Sequence, residues 1–254
     1  MTFAAFLKKE LMEITRTSKI IILPVLFLFF GILSPLTAKY MNQILSIAGK
    51  QQGITIQLPD PTFVQSYEQF FKNIYFMMII VCVLVFAGTI SEEKSKGTIL
   101  LVMTKCLSRN GFIIGKLTAA ILLFTFSYAV SAGACLYYTS LLFPEFVNAG
   151  IWTGLALFWF FGLLMLTLTL LSSLLSRSLT TSAVVSFICY AAVSAFAALP
   201  YVGEYSPGAL QGMSVKLAEG LAVPGDSFTA AAVTLGLAAI CVLISLLAFK
   251  RQEL

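Results

Sequence analysis

The sequence contains no histidine, and its five cysteines include no Cys-x-x-Cys pair. Without histidine, neither a Ser-His-Asp nor a Cys-His catalytic constellation can form, and a Cys/His metal site is not expected. Four of the cysteines fall inside apolar runs, where cysteine usually behaves as a small buried hydrophobe. We therefore predict no catalytic residues, no metal site and no disulfide framework. The four cysteines inside apolar runs are Cys82, Cys135, Cys189 and Cys241.

Charged residues are scarce as well. They make up 11% of the 254 residues, whereas 59% are hydrophobic and the mean hydropathy is +0.96. Soluble domains carry about a quarter charged residues. Six uncharged apolar runs are long enough for transmembrane helices, which need ~17–25 residues. The sequence therefore predicts an all-α integral membrane protein with six transmembrane helices, forming one domain over residues 20–254. The runs are 20–36, 74–90, 117–143, 151–175, 179–199 and 228–249.

Two further absences concern the source of energy. No run contains Asp, Glu, Lys or Arg, although transporters driven by protons or ions normally need ionisable groups at membrane depth. The segment 111–117 superficially resembles a phosphate-binding loop, but it has three residues instead of four between its glycines, and Leu117 follows the lysine where Ser or Thr is required. We therefore expect no cofactor bound by this chain and no enzymatic activity of its own.

The basic residues are distributed unevenly along the chain. Twelve of the sixteen lysines and arginines lie before the first run, between the second and third, between the fourth and fifth, or after the sixth. By the positive-inside rule, both termini are therefore predicted to be cytoplasmic. This function of the charge accounts for the net +5, so nucleic acid is not predicted as a partner. The four basic residues predicted to lie on the outer side of the membrane are Lys39, Lys50, Lys72 and Lys216.

The first nineteen residues show helical periodicity. Five apolar residues recur at i, i+3 and i+4 spacing, with charged residues at the positions between them. This pattern is typical of an amphipathic helix that lies on the membrane surface. We predict an interfacial elbow helix on the cytoplasmic side over residues 1–19. Its apolar residues are Phe3, Phe6, Leu7, Leu11 and Ile14.

Two longer segments, 38–73 and 200–227, are predicted to be outer loops. Within the first, Asp60 and Pro61 have the pattern of a helix start, a cap followed by proline in the first turn. Within the second, glycines and prolines indicate a loop, with a short helix around residues 215–221.

The loop over residues 91–111, between the second and third runs, has the densest charge in the chain. Between its charges lies the apolar stretch 98–103, which would be unfavourable in a solvated turn. A short helix that docks its apolar side in a groove of a partner would satisfy both features. The alternative is that the stretch packs on the protein's own inner surface or in the lipid interface.

These residues resemble the permease subunits of the ABC-2 family of ATP-binding-cassette transporters. Members typically carry Glu-Glu-Lys-x-x-Gly-Thr after the second span, then an apolar stretch, a Pro-x-Ser-Arg element and a Gly-Lys pair. The resemblance extends to the elbow helix, the outer Leu-Pro-Asp-Pro segment at 58–61, the six spans and a Ser-Arg-Ser turn at 176–178. Cys106 stands where the family usually has proline. The matching positions are Glu92, Glu93, Lys94, Gly97, Thr98, Ser108, Arg109, Gly115 and Lys116.

The resemblance implies an export permease in the plasma membrane, in a bacterium the inner membrane. Its partners would be a second permease chain, identical or related, and two cytoplasmic ATPase subunits that use ATP and Mg. The loop would then be the region that couples the permease to the ATPase, with the apolar residues in the buried contact and the charges at its rim. The residues assigned to it are Glu92, Glu93, Lys94, Gly97, Thr98, Ile99, Leu100, Leu101, Met103, Ser108 and Arg109.

Two other functions compete with transport. The first alternative, which ranks below transport, is a membrane anchor or regulatory assembly protein whose loop recruits a cytoplasmic partner without transport. A membrane enzyme acting on lipid is the third, but its candidate acidic residues, Glu145, Glu204, Glu219 and Asp226, are scattered along the outer segments.

Overall fold

The computed structural model describes residues 3–51, 60–99, 108–143, 150–199, 203–221 and 224–252. These residues are almost entirely helical and include no strand, and six helices are long and apolar enough to cross a membrane. The predicted all-α, six-span architecture is therefore confirmed. The helices are α1 (Phe3–Arg16), α2 (Lys19–Gln51), α3 (Phe63–Met77), α4 (Val83–Phe86), α5 (Gly88–Ser95), α6 (Arg109–Leu142), α7 (Ile151–Leu175), α8 (Leu179–Ala197), α9 (Ala209–Ala218) and α10 (Pro224–Arg251).

The second span consists of α3, α4 and α5, joined through a five-residue π-helical segment, Met78–Cys82, and a turn at Ala87. With these interruptions it runs from Phe63 to Ser95. The helix starts later than Asp60 and Pro61 predict, because Thr62 is the extended residue that precedes its first turn. Thr62 occupies the N-cap position without a side-chain cap hydrogen bond.

Helices extend into both segments that the sequence assigns to outer loops. Helix α2 has 33 residues, a length of roughly 50 Å, which exceeds the ~30 Å hydrocarbon core. Residues 38–51, which the sequence assigns to the first outer loop, thus belong to the end of this helix. In the second segment α9 begins at Ala209, earlier than predicted, and ends at Ala218. It does not continue to residue 221 because Gly220 has φ +78°, a left-handed conformation that terminates helices.

Helix α7 is the central helix of the bundle. It packs against α5, α6, α8, α9 and α10. Of its most apolar stretch of 18 residues, 67% is buried, against 17% for α8 and 22% for α10. A helix that is apolar on all sides is expected in such a position. Aromatic rings fill the space beside it: Phe158 packs on Phe71 and Tyr128, and Tyr75 stacks on Phe161 at 5.5 Å between ring centroids.

Helices α2 and α6 approach each other closely at Gly31. A Cβ at this position would lie 2.5 Å from the carbonyl oxygen of Ser131 and 2.8 Å from its hydroxyl. The Ser131 hydroxyl donates a hydrogen bond to the carbonyl oxygen of Phe27 at 2.6 Å, across the helix interface. The missing side chain at Gly31 therefore permits an interhelical hydrogen bond within the membrane-spanning region.

Candidate functional site

Most of the ion pairs among the described residues lie at one end of the bundle, where α1 meets the ends of several spans. At this end α1 contacts α6, and the last turn of α5 lies beside the end of α7 and the C-terminus of α10. We call the residues Glu10, Glu93, Lys94, Arg109 and Lys116 the charged end. Both sides of the predicted coupling loop, at 91–99 and 108–111, therefore lie at the same end as α1 and the last residues of α10.

Lys116 lies at the centre of the charged end. Its side chain is 1% exposed, and its ammonium group donates to Glu93 Oε1 at 2.9 Å and to Glu10 Oε2 at 3.1 Å. The side chains of Glu10 and Glu93 are only 6% and 15% exposed. A buried charge without such partners would be strongly unfavourable, so this network holds α1, α5 and α6 in a fixed arrangement.

Lys9 extends the network toward solvent. Its ammonium lies 2.9 Å from Glu10, 2.8 Å from Glu13 and 3.5 Å from Glu93. Partial burial opposes the charged form of Lys9, but the hydrogen bonds to Glu13 and Glu10 outweigh it, so its pKa lies above the ordinary value. Burial similarly opposes the charge of Glu13, and the bond from Lys9 outweighs it and lowers the Glu13 pKa. Both groups are therefore charged at neutral pH.

The Gly115-Lys116 pair forms the surface on α6 that receives α1. The ring of Phe6 lies against Gly115, where a Cβ would be 2.6 Å from its carbons, and it also packs on Phe112 at 5.7 Å between centroids. Glu10 follows Phe6 by one helical turn and reaches Lys116. The glycine thus makes room for an aromatic ring and the lysine binds a carboxylate on the same face of α1.

This face of α1 differs from the apolar face that the sequence indicates. Phe6 is fully buried and Leu7 and Ile14 are partly buried, but Phe3 and Leu11 remain 43% and 36% exposed. Glu10, which the apolar periodicity does not include, is buried in the contact. Helix α1 therefore docks on the protein through one aromatic and one acidic residue, while part of its apolar face is available to lipid.

The N-terminal side of the loop, at the end of α5, is also fixed to α7. The hydroxyl of Ser173 accepts hydrogen bonds from the backbone N–H groups of Ile90 and Ser91, each at 3.0 Å. The ammonium of Lys94 donates to the carbonyl oxygen of Leu174, near the end of α7. The last turn of the second span is thus held by α7 on one side and by Lys116 on the other.

The C-terminal side of the loop, at the start of α6, is fixed to the C-terminus of α10. The Ser108 hydroxyl accepts from the backbone N–H of Gly111 at 3.1 Å and caps α6. The Arg109 guanidinium donates to three carbonyl oxygens at the C-terminal end of α10, those of Phe249, Lys250 and Gln252, at 3.3, 2.7 and 3.2 Å. A cation at the C-terminus of a helix satisfies its free carbonyls and complements the helix dipole.

We predict that Arg109→Met loosens this terminus without unfolding the protein. Arg109 is exposed, so the loss of stability should be small, about 0.5–1 kcal/mol. Hydrogen exchange of the amides in the last turn of α10 should accelerate several-fold. Arg177→Met removes an exposed arginine from the turn before α8 and provides the matched control. Equal exchange rates in the two variants would contradict a capping role for Arg109.

Within the loop itself, the described residues divide into two groups. Glu92 and Lys96 form an exposed i,i+4 ion pair at 3.0 Å, Thr98 is exposed, and Gly97 adopts φ +68°, which ends the preceding helix. Ile99, in contrast, is 3% exposed and belongs to the protein's own apolar core. The other predicted contact residues, Leu100, Leu101 and Met103, lie outside the described residues.

Two other chemical functions can be tested against this geometry. Oxygens of Glu10, Glu13 and Glu93 lie within 4.8 Å of one another, a distance compatible with a metal, but each of these carboxylates is paired with Lys9, Lys116 or both. The segment 111–117 lies within α6 and is not a loop, so its backbone amides cannot cradle a phosphate. The arrangement is an ion-pair network that joins helices.

Six membrane-spanning helices and an ion-paired elbow at one end define a multi-pass membrane protein whose ion-pair network lies at the ends of its spans. Residues 4–219 match the family described as ABC-2 family transporter protein, so the chain belongs to that family, as its motifs predict. The chain is also similar to "Uncharacterized transmembrane protein YxlG" of Bacillus subtilis (strain 168), with 25% identity over 259 residues, 98% of this chain and 97% of the relative. Membership makes it a membrane component of a transport system and implies association with an ATP-binding-cassette ATPase.

Proposed function

We propose that the protein is the transmembrane permease subunit of an ABC-type exporter in a bacterial plasma membrane. In this proposal it works with a second permease chain, identical or related, and with two cytoplasmic ATPase subunits that bind ATP and Mg. The loop over residues 91–111 would receive the motion of the ATPase. Family membership and the similarity to a bacterial relative support this assignment.

The observation that carries the proposal is that each side of the loop is fixed to a different part of the bundle. On the N-terminal side of the loop, Glu93 is bonded to Lys116 of α6 and lies 3.5 Å from Lys9 of α1. On the C-terminal side, Arg109 is bonded to the end of α10. A loop that only connected two spans would not require these attachments.

A displacement of the loop would therefore move several helices together. Movement of α5 would carry the Glu93–Lys116–Glu10 group, and with it α1, whereas movement of Arg109 would pull on α10. Packed helices and buried ion pairs transmit such a shift as a rigid-body rearrangement. ATP-driven closure of the ATPase pair would in this way alter the spans without any chemistry in the permease.

The apolar stretch would supply the affinity of the ATPase contact. Leu100, Leu101 and Met103 would dock in the partner, while Ile99, buried in the protein's own core, would anchor the stretch to the bundle. The exposed Glu92–Lys96 pair would lie at the rim, where such pairs contribute ~0–1 kcal/mol and mainly set the register.

Co-purification tests this proposal. The wild-type chain, isolated from native membranes, should retain an ATP-binding-cassette ATPase, and Leu101→Glu should lose it, because a carboxylate would be buried in the apolar contact. Leu199→Glu, the same substitution at an exposed leucine after α8 and at the opposite end of the bundle, should retain the ATPase. Absence of an ATPase from all three preparations would favour the anchoring function over transport.

A further inference from the structure

A cavity of about 390 Å³ lies at the charged end, between α1, the start of α2, α4 and α5, and α6. This volume falls within the range of small-molecule sites. Its wall changes in character with depth. Charged residues line the part near the loop, whereas Phe86, Ala119 and Ala120, which lie farther along the spans, are apolar. This is the order of polarity found in a phospholipid, from headgroup to acyl chain.

One wall of the cavity carries two buried polar atoms that have no hydrogen-bond partner among the described residues. They are the hydroxyl oxygen of Thr89 and Oε2 of Glu93, one helical turn apart on α5. Glu93 uses only its other oxygen for Lys116 and Lys9. Buried polar atoms are nearly always paired in folded proteins, so two neighbouring unpaired atoms beside one cavity indicate that a ligand group bonds there.

Lys19, at the start of α2, provides the complementary charge. Four lysines line the cavity, and three of them, Lys9, Lys96 and Lys116, form ion pairs. In the part of the chain that the structure describes, Lys19 has no ion pair and no hydrogen bond from its side chain. The cavity wall therefore holds one cation without an ion pair, together with one hydroxyl and one carboxylate oxygen that are buried without a hydrogen-bond partner among the described residues.

We propose that this cavity binds the headgroup of an aminophospholipid, with the phosphate at Lys19 and the Thr89 hydroxyl and the primary ammonium at Glu93 Oε2. A glycerol headgroup would offer Glu93 Oε2 only a neutral hydroxyl donor, which bonds a carboxylate less strongly than an ammonium does, and a quaternary ammonium has no N–H to donate. Lys19 is the first residue of a transmembrane helix, the level at which basic residues meet lipid headgroups. The cavity wall as a whole carries four lysines and four glutamates, so it suits a headgroup that bears both charges. The bound lipid would connect α1, α2 and α5.

Titration of the full-length protein in detergent with short-chain lipids tests the inference, and it requires no ATPase, so its result does not depend on the proposed transport function. Phosphatidylethanolamine should raise the thermal unfolding midpoint, and phosphatidylcholine and phosphatidylglycerol should raise it less. Lys19→Gln should raise the phosphatidylethanolamine concentration needed for half-maximal stabilisation about tenfold, because a charge-assisted bond is lost. Lys8→Gln, at an exposed lysine of α1 outside the cavity wall, should respond like wild type.

Thr89→Val provides a test that does not depend on a destabilised variant. It removes a hydroxyl that has no partner in the protein, so the lipid-free variant should be at least as stable as wild type. The phosphatidylethanolamine concentration that this variant needs for half-maximal stabilisation should nevertheless rise several-fold. Equal responses to the three lipids, or wild-type responses in both Lys19→Gln and Thr89→Val, would overturn the inference. Equal stabilisation by water-soluble phosphoethanolamine would assign the site to a soluble ligand and overturn the lipid assignment.

Discussion

Replacing Lys116 with methionine is expected to lower the free energy of unfolding by about 3 kcal/mol. The substitution removes the cation that faces the buried Glu10 and Glu93 and leaves their carboxylates with Lys9 alone. Removal of one partner from a buried ion pair typically costs ~3–5 kcal/mol. The lower end of that range is expected because Lys9 remains within 3.5 Å of both carboxylates. Denaturant unfolding in mixed micelles measures the change.

Lys72→Met is the matched control for this substitution. Lys72 also pairs with a glutamate, Glu68, but the lysine is 54% exposed and the glutamate 36% exposed, and such surface pairs contribute only ~0–1 kcal/mol. Adding Glu93→Gln to Lys116→Met should restore part of the lost stability, because it removes one of the two carboxylates that would then share Lys9. A Lys116→Met variant as stable as Lys72→Met would show that the buried network does not hold α1 in place.

Gly31→Ala is expected to destabilise the protein by about 2–3 kcal/mol. The new Cβ would lie 2.5 Å from a backbone oxygen of α6, a contact that no side-chain rotation can relieve. Helices α2 and α6 would have to separate, which would also weaken the hydrogen bond from Ser131 to Phe27. Thermal unfolding in detergent should report a lower midpoint.

Gly133→Ala tests the same chemical change where space is available. Gly133 lies on α6, is exposed, and a Cβ there would meet nothing within 4 Å among the described residues. Because alanine favours helix over glycine by up to ~1 kcal/mol, this variant should be neutral or slightly stabilised. If the two glycine variants lost equal stability, the close approach of α2 and α6 would not explain the effect at Gly31.

The six spans could be predicted because an uncharged apolar run is a local property of the sequence. Helix ends were harder to predict. Residues 38–51 are helical although polar residues begin there, because a helix can continue past the hydrocarbon core into water. Gly220, by contrast, ends α9 through a backbone conformation that the loop-like composition around it does not specify. Hydropathy thus determined which segments span the membrane but not where each helix stops.

The charged end could be predicted only in part. The sequence indicated that Glu93, Lys94 and Arg109 lie beside a functional loop, but it identified Lys116 only as part of a Gly-Lys pair that matches the family and predicted no buried partner for it. Lys116 is buried because its partners Glu10 and Glu93 come from other helices, and Glu10 is 106 residues away along the chain. The one local indication was a carboxylate at Glu10 one turn after Phe6, on the face that an amphipathic helix buries.

The most direct test of the proposed function is site-specific photocrosslinking from the loop. A photoreactive residue at Thr98, which is exposed beside the charged end, should form a crosslink to an ATP-binding-cassette ATPase in native membranes. The same residue at Leu199, at the opposite end of the bundle, should form none. A crosslink to the ATPase from Leu199 and not from Thr98 would place the coupling surface at the wrong end, and no ATPase crosslink from either position would contradict the permease function.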